Sequence, residues 1–395
     1  MSYSIVDGEV RFQNMIVDRA DAATFTPLAF DWAKDKARVY SYGSVVDGAK
    51  PKSFTPFDAV FGADAKQVFG GRSPIEADVA TFRALGGGYG ADKRTVFCGE
   101  LRIGVIVCWT LETADPKTFK SLAYGWATDK SHAYCAGFVN AEADPKRLAP
   151  LTRWLATDGK HVLTHSRVIP DADPATFRAL DEHYGVDAKR VYYGEILAGV
   201  VKHAKRATFR AIGGEFGVDD QYAFWETNII AGIAPDHLRA ISNSFACTDD
   251  QVLYFYSGIH GSRKITGDVW GTKPIVLDDA DPATFRDTGE LYGADTKHAY
   301  HHSTKMELRG DARRFETLGT CLARDDVAVY FEGDVVDGAD PATFRIVAPA
   351  TIARDRAHWY LYDPYSDYRH IEVIEADRAR RILDGEEEVG TYEDE

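Results

Sequence analysis

The sequence repeats one phrase at long intervals. DADPATFR occurs at residues 171–178 and 279–286, and GADPATFR occurs at residues 338–345. Phenylalanines in related phrases recur with a period of about 29 residues, and Leu148 and Leu238 fill two of the gaps; these phenylalanines are Phe25, Phe54, Phe82, Phe119, Phe177, Phe209, Phe285, Phe315 and Phe344. A fixed period of this length is typical of repeat arrays, in which each unit packs against the next. We therefore expect a tandem array.

A second landmark follows the same period. It is an aspartate with an aromatic residue five positions later, and the clearest pairs end in Tyr40, Phe69, Phe97, Tyr134, Tyr192, Tyr300, Tyr330 and Tyr360. Weaker copies are DGKHVL at Asp158, DDQYAF at Asp219 and DDQVLY at Asp249. Both landmarks together predict about eleven to twelve units.

The two phrases predict different local structures. In the last copy of ADPATF, Asp340 suits a helix N-cap, Pro341 suits the first helical position, and Phe344 suits a hydrophobic staple with Ala339. This predicts a short capped helix of one or two turns. The phrase D-K-x-x-V-Y predicts a hairpin turn that leads into a strand, because aspartate favours turns while valine and tyrosine favour strands. Each unit is then a small β-meander of three strands plus a capped helical turn.

Stacked units would share one continuous aromatic core. We predict a mainly β fold in which meander repeats of about 29 residues form an elongated array over residues 1–372. A closed propeller-like arrangement is the alternative, although a propeller blade usually needs about 40 residues. Residues 373–395 form an acidic tail that we expect to be partly disordered.

The alternation of the two phrases resembles the DKNYY family of bacterial repeat proteins. The resemblance covers roughly residues 10–372, although the asparagine of the family's DKN is replaced here, as in DKA, DKR and DKS. It implies a bacterial protein and a loose association with proteins found near secreted toxins. The family supplies no catalytic residues to transfer.

Charge and cysteine content restrict the partners and the compartment. Asp and Glu outnumber Lys and Arg by 61 to 46, which gives a formal net charge of −15. Nucleic acid and anionic membrane would require clustered basic residues, so a basic protein partner fits better, unless the acidity only keeps the chain soluble. Five cysteines without a CxxC pair suggest free thiols, and the N-terminus lacks a secretory signal. We expect a cytoplasmic protein.

Two insertions interrupt the period, at residues 98–115 and 254–281. Insertions in repeat arrays often collect on the binding face. The second insertion is rich in residues common at interfaces, and we predict partner contacts at Tyr254, Tyr256, His260, Arg263, Lys264, Trp270 and Lys273. The alternative is an extra β-hairpin that only lengthens a sheet.

Motifs for catalysis or ion binding are weak in this sequence. GGYGAD at residues 87–92 lacks the tandem copies of a calcium repeat. The histidines of HAYHH at residues 298–302 alternate between strand faces, and no carboxylate or cysteine stands at ligand spacing, so we expect no metal site. We predict no catalytic, cofactor-binding or metal-binding residues.

The function that fits best is non-enzymatic protein binding. The acidic charge and the broad repeat surface favour an immunity-type inhibitor that neutralises a bacterial toxin. The alternative is a general interaction scaffold, or a surface-associated repeat protein, without a toxin partner.

Overall fold

Short antiparallel strands dominate the fold. The computed structural model describes residues 2–13, 15–102, 105–194, 199–256, 261–266, 269–364 and 370–387. These residues form twelve separate sheets, most of them four-stranded meanders, which we number 1 to 12 along the chain. None of the described strands closes a sheet into a barrel, and the sheets are not arranged as propeller blades. The prediction of a mainly β repeat array is confirmed.

Each full sheet contains four strands, which we call a, b, c and d in chain order. The a strands are Thr26–Pro27, Thr55–Pro56, Arg83–Gly86, Lys120–Ser121, Ala149–Pro150, Arg178–Ala179, Arg210–Gly213, Arg239–Ala240, Arg286–Gly289, Glu316–Gly319 and Arg345–Ala348. The b strands are Tyr3–Val6, Trp32–Lys34, Phe61–Ala63, Tyr89–Ala91, Trp126–Thr128, Ala156–Thr157, Tyr184–Val186, Phe216–Val218, Phe245–Cys247, Tyr292–Ala294, Leu322–Arg324 and Ile352–Arg354.

The other two positions complete the meanders. The c strands are Glu9–Phe12, Val39–Ser41, Val68–Gly70, Val96–Arg102, Ala133–Cys135, Val162–Leu163, Val191–Tyr193, Ala223–Trp225, Val252–Tyr254, Ala299–His301, Val329–Phe331 and Trp359–Asp363. The d strands are Met15–Ile16, Ser44–Val45, Ser73–Ile75, Val105–Thr110, Phe138–Asn140, Gly199–Val200, Asn228–Ile230, Ile275–Val276, Thr304–Lys305, Asp334–Val335 and His370–Ile374. Sheet 1 starts at its b strand, and sheet 6 ends at its c strand.

The ADPATF phrase forms a single capped turn. In the last copy, the carbonyl oxygen of Asp340 accepts from the amide of Phe344 at 2.8 Å, and Asp340 Oδ1 accepts from the amide of Ala342 at 3.0 Å. The single turn is the shorter of the two predicted lengths, because the next residue, Arg345, already pairs with Arg354 in the a strand. Short 3-10 helices span Ala123–Gly125, Pro235–His237 and Ala312–Arg314. The a strand is the fourth strand that the sequence analysis did not predict.

The aspartate of the DK phrase ties together each unit. Asp355 is buried; its Oδ1 accepts from the amides of Ala357 and His358, and its Oδ2 accepts from the amide of Asp340 and the hydroxyl of Tyr360. Asp35, Asp64, Asp92, Asp129, Asp158, Asp187, Asp219, Asp295 and Asp325 are buried at equivalent positions. These aspartates therefore join the hairpin turn to the capped turn.

The copy predicted at Asp249 needs a correction of one residue. Thr248 is buried and occupies the turn position, where its Oγ1 accepts from the amide of Gln251 at 3.1 Å. Asp249 is exposed beside it. A threonine hydroxyl can accept the turn bond in place of a carboxylate, so the spacing from Asp249 to Tyr254 matched the motif in the wrong register.

The repeated phenylalanines lie between neighbouring sheets. Phe119 contacts Tyr89 of the preceding sheet, with ring centroids 5.2 Å apart, and Tyr134 of its own sheet at 5.4 Å. Phe54, Phe209, Phe285, Phe315 and Phe344 are also buried, while Phe82 and Phe177 are partly buried. The c-strand residues Tyr40, Tyr134, Tyr192, Tyr300 and Tyr330 are fully buried. An aromatic core therefore runs from sheet to sheet.

Both insertions form β-hairpins. The first lengthens the c and d strands of sheet 4 to Val96–Arg102 and Val105–Thr110. The second forms the strands Gly261–Thr266 and Val269–Lys273, and Ile229 of sheet 8 pairs in parallel with Gly271, which makes that sheet six-stranded. The backbone of the second insertion therefore has the alternative form, an extra hairpin that lengthens a sheet.

The two ends of the array contact each other. Met15 of sheet 1 packs against the core around Phe344 and Tyr360 of sheet 12. Arg354 donates to Glu9 at 2.7 Å, and Arg380 donates to Asp18 at 2.6 Å.

The segment after the last sheet is partly ordered. Residues 376–383, which the sequence analysis assigned to an acidic tail, form the α-helix Ala376–Leu383 against sheet 12. Residues 388–395 lie outside the described residues. Within the described part of the chain, no helix has the length and apolarity needed to cross a membrane.

Candidate functional site

A groove runs along the turns of several sheets. It has a volume of about 830 Å³ and is lined mainly by the turns between a and b strands of sheets 3 to 7 and 9, together with the inserted hairpin of sheet 4. These turns are tight because their central residues adopt left-handed backbone angles, as at Gly87 and Gly88 with φ of 62° and 85°. The same turn in sheet 5 has Tyr124 at φ 60°, followed by Gly125. The repeat thus places equivalent turns side by side along the groove.

Large side chains are exposed in this groove. Tyr124 is 56% exposed and Leu101 is 51% exposed. The guanidinium of Arg153 lies 5.0 Å from the ring centroid of Trp154 and forms an ion pair with Glu100 at 3.2 Å. Tyrosine, tryptophan and arginine are enriched among the residues that contribute most to binding in protein interfaces. The groove therefore carries residue types that are common in such interfaces.

Polar groups in the groove hold the turns in place. Glu182 Oε2 accepts from the amide of Arg153 at 3.0 Å, and the carbonyl oxygen of Glu182 accepts from the hydroxyl of Thr152 at 3.2 Å. Burial raises the pKa of the nearby Cys135 thiol to about 12. Burial therefore favours the protonated form of this thiol.

Sequence analysis identified only part of this groove. The first insertion, residues 98–115, pointed to the hairpin that carries Glu100 and Leu101. Tyr124, Arg153 and Trp154 were missed because each lies in a turn of ordinary length. Aligning the a–b turns of all units would have shown that sheets 5 and 6 carry large aromatic residues there.

The residues predicted for the second insertion lie in different environments. Tyr254 is buried in the c strand of sheet 9, so its side chain cannot contact a partner, and this prediction is corrected. Tyr256 is 43% exposed, and Lys273 is exposed. Arg263 and Lys264 lie on the strand Gly261–Thr266, and Trp270 lies on Val269–Lys273. His260 lies outside the described residues.

A second cluster joins sheets 10 and 11. His301 ends the c strand of sheet 10, His302 follows it, and Glu332 occupies the position in sheet 11 equivalent to His302. One ligand atom from each of the three residues lies within 4.8 Å of the others, and His301 Nε2 is 3.9 Å from Glu332 Oε2. The cluster borders a cavity of about 710 Å³.

We expected no metal site at these histidines because alternate residues of a strand face opposite sides, but this alternation does not hold at His302. His302 has a left-handed φ of 53°, which turns the chain after His301. The missing carboxylate, Glu332, comes from the next unit, 30 residues after His302. Superimposing the repeats would have placed both residues at the same position in adjacent sheets.

Comparisons with known proteins place the repeats in one family. The model of the DKNYY family matches residues 3–137 and 154–304. Searches of curated proteins and of solved structures gave no significant match.

Proposed function

Because the chain belongs to the DKNYY family of repeat proteins, we propose that this array is a non-enzymatic protein-binding scaffold whose groove holds the partner. The observation that carries the proposal is the groove of about 830 Å³ that repeated turns build at one side of several sheets. Repeat arrays commonly bind partners through such extended surfaces.

The exposed groups of the groove support a protein partner. Tyr124 and Leu101 offer apolar area, while Arg153 lies against Trp154 beside Glu100. Tyrosine and tryptophan side chains supply large, amphipathic contact areas while only two rotatable bonds become ordered. An extended segment or loop of another protein matches this combination of apolar and charged groups.

The charge of the chain favours a basic partner. A net charge of −15 attracts a cationic protein and speeds its association. We propose that the partner is a basic bacterial toxin domain, and that the chain acts in the bacterial cytoplasm as an immunity-type inhibitor that covers the toxin surface. No membrane or nucleic acid takes part in this proposal.

Co-expression tests the inhibitor proposal. If a toxin gene adjoins the gene of this chain, the chain is expressed together with that toxin, and growth is expected to recover. Tyr124→Ala and Trp154→Ala should each weaken binding of the purified toxin domain by about 1–3 kcal/mol, measured by calorimetry. Phe138→Ala is the matched control, because Phe138 is 53% exposed and does not line the groove.

The outcomes separate the levels of the proposal. If the groove variants restore growth as well as the parent chain does, the groove is not the binding site. If the chain binds the toxin but growth does not recover, the chain is a general scaffold and not an inhibitor. Absence of both binding and recovery would contradict the proposed inhibitor.

A further inference from the structure

We propose that His301, His302 and Glu332 bind one divalent transition-metal ion of the zinc class. The inference concerns sheets 10 and 11 and does not depend on the proposed partner. Two imidazole nitrogens and one carboxylate form a common protein ligand set for zinc, with water completing the coordination. The set forms where the turns of two neighbouring repeats, those of sheets 10 and 11, meet.

The distances allow an ion to be held. Donor atoms around a tetrahedral zinc ion with bonds of about 2.0–2.1 Å lie about 3.4 Å apart. The three donors lie within 4.8 Å of one another, and the pair His301 Nε2 and Glu332 Oε2 is at 3.9 Å. Side-chain rotations that move the donors by about 1 Å would complete the site.

Neighbouring tyrosines fix the imidazole rings. Tyr254 Oη is 2.7 Å from His302 Nδ1, so Nε2 is the nitrogen through which His302 would bind the ion. The ring of His301 lies against Tyr292 with centroids 4.5 Å apart. A hydrogen-bond partner on the second imidazole nitrogen is typical of metal-binding histidines, because it fixes both the tautomer and the ring direction. Tyr254 is therefore a positioning residue.

Burial and charge favour a cation at this place. His301 is 8% exposed, and the side chain of Glu332 is 13% exposed. A carboxylate with this little exposure attracts a cation more strongly than one in bulk water, because the local dielectric constant is lower. The cavity is also lined by Glu307, Asp334 and Asp337, against the cations Lys305 and Arg309. Lys305 forms an ion pair with Asp279 at 2.6 Å.

A bound ion would connect two sheets directly through its ligands, and a third sheet through the contact of Tyr254 with His302. Tyr254 belongs to sheet 9, the histidines to sheet 10 and Glu332 to sheet 11. Because an ion that binds only the folded chain stabilises it by mass action, the site would act as a structural link within the array.

The experiment uses the full chain without an affinity tag, freed of metal by a chelator. Calorimetry with ZnCl₂ should show one ion per chain, and CoCl₂ should give the visible absorption band of a cobalt–imidazole site. His302→Ala and Glu332→Gln should weaken zinc binding by about ten-fold or more, and Tyr254→Phe by about ten-fold. Zinc should also raise the unfolding temperature of the parent chain.

Matched controls separate coordination from general charge. Asp334→Asn removes the same charge from the same cavity as Glu332→Gln, and His298→Ala removes a histidine that comes directly before the strand Ala299–His301 and lies outside the cluster. Both should bind zinc within about two-fold of the parent chain. Failure to bind one zinc ion, or equal loss in Asp334→Asn and Glu332→Gln, overturns the proposal. If a ligand variant fails to fold, Tyr254→Phe still tests the proposal, because it removes only the hydroxyl that contacts His302 and leaves all three ligands in place.

Discussion

At the scale of single residues, the buried aspartate explains why two distant phrases occur together. Sequence analysis identified it as a turn former, which it is. Its second oxygen also reaches the amide 14 residues earlier, as from Asp187 to Asp173 at 3.1 Å, and the hydroxyl of Tyr192 at 2.7 Å. Where phenylalanine replaces the tyrosine, the amide contact remains, as from Asp64 to Lys50 at 2.9 Å. Local propensity alone could not predict this link.

These bonds make the array sensitive to acid. Burial would raise the pKa of Asp187, but hydrogen bonds from Tyr192 and from three backbone amides outweigh it and lower the pKa to about 2. Because the folded pKa is below the unfolded value of about 3.9, the carboxylate stabilises the fold above pH 4 and loses this contribution as pH falls toward 2. Asp35, Asp92, Asp129, Asp158, Asp295 and Asp355 also have lowered pKa values.

Asp187→Asn should lower the free energy of unfolding by about 1–3 kcal/mol at pH 7, because the amide group cannot accept all four hydrogen bonds. Urea unfolding at several pH values provides the measurement, and the difference from the parent chain should shrink between pH 4 and pH 2. Asp337→Asn is the control, because Asp337 is exposed, and it should change the free energy of unfolding by less than about 0.5 kcal/mol. A difference for Asp187→Asn that stays constant down to pH 2 would contradict this account.

At the scale of elements, the sequence predicted hairpins better than it predicted the first strand of each unit. The c strands carry valine and an aromatic residue, so their β preference is strong. The a strands, such as Arg178–Ala179, contain few residues and no clear alternation. Packing helps to fix the position of this a strand. The ring of Phe177, which comes directly before it, lies over Gly185 of the b strand and leaves no room for a Cβ at Gly185.

Gly185→Ala should lower the free energy of unfolding by about 1–3 kcal/mol, because a Cβ there would lie 2.2 Å from Cζ of Phe177. Denaturant unfolding provides the measurement. Gly199→Ala is the control in the same sheet, since a Cβ at Gly199 meets no atom within 4 Å. Adding Phe177→Leu to Gly185→Ala should recover part of the loss; full additivity of the two changes would exclude the proposed clash.

At the scale of the whole molecule, the contact between sheets 1 and 12 lay beyond sequence reasoning. It joins Glu9 to Arg354 across 345 positions, and it depends on how all the intervening repeats pack against one another. The groove has the same origin, because turns from several sheets line it together. Both features require the assembled array, whereas each unit is encoded by about 30 residues.

Met15→Asp should increase hydrogen exchange in the strands Arg345–Ala348 and Trp359–Asp363, because it places a charge in the core shared by both ends. Exchange measured by mass spectrometry resolves these peptides. Ile5→Asp is the control on the same sheet, since Ile5 is already 51% exposed. If Met15→Asp accelerates exchange only near its own sheet, the ends do not stabilise each other in solution.

The meeting of the two ends also restricts how such a chain can change in evolution. Backbone pairing is nearly complete inside each sheet, so an in-frame duplication of about 30 residues would leave every other ladder intact. It would, however, insert one more sheet between the two ends and so separate Met15 from its partners in sheet 12. Contact between the two ends therefore constrains the number of units, whereas a substitution within one unit directly affects only its own sheet and the adjacent sheets.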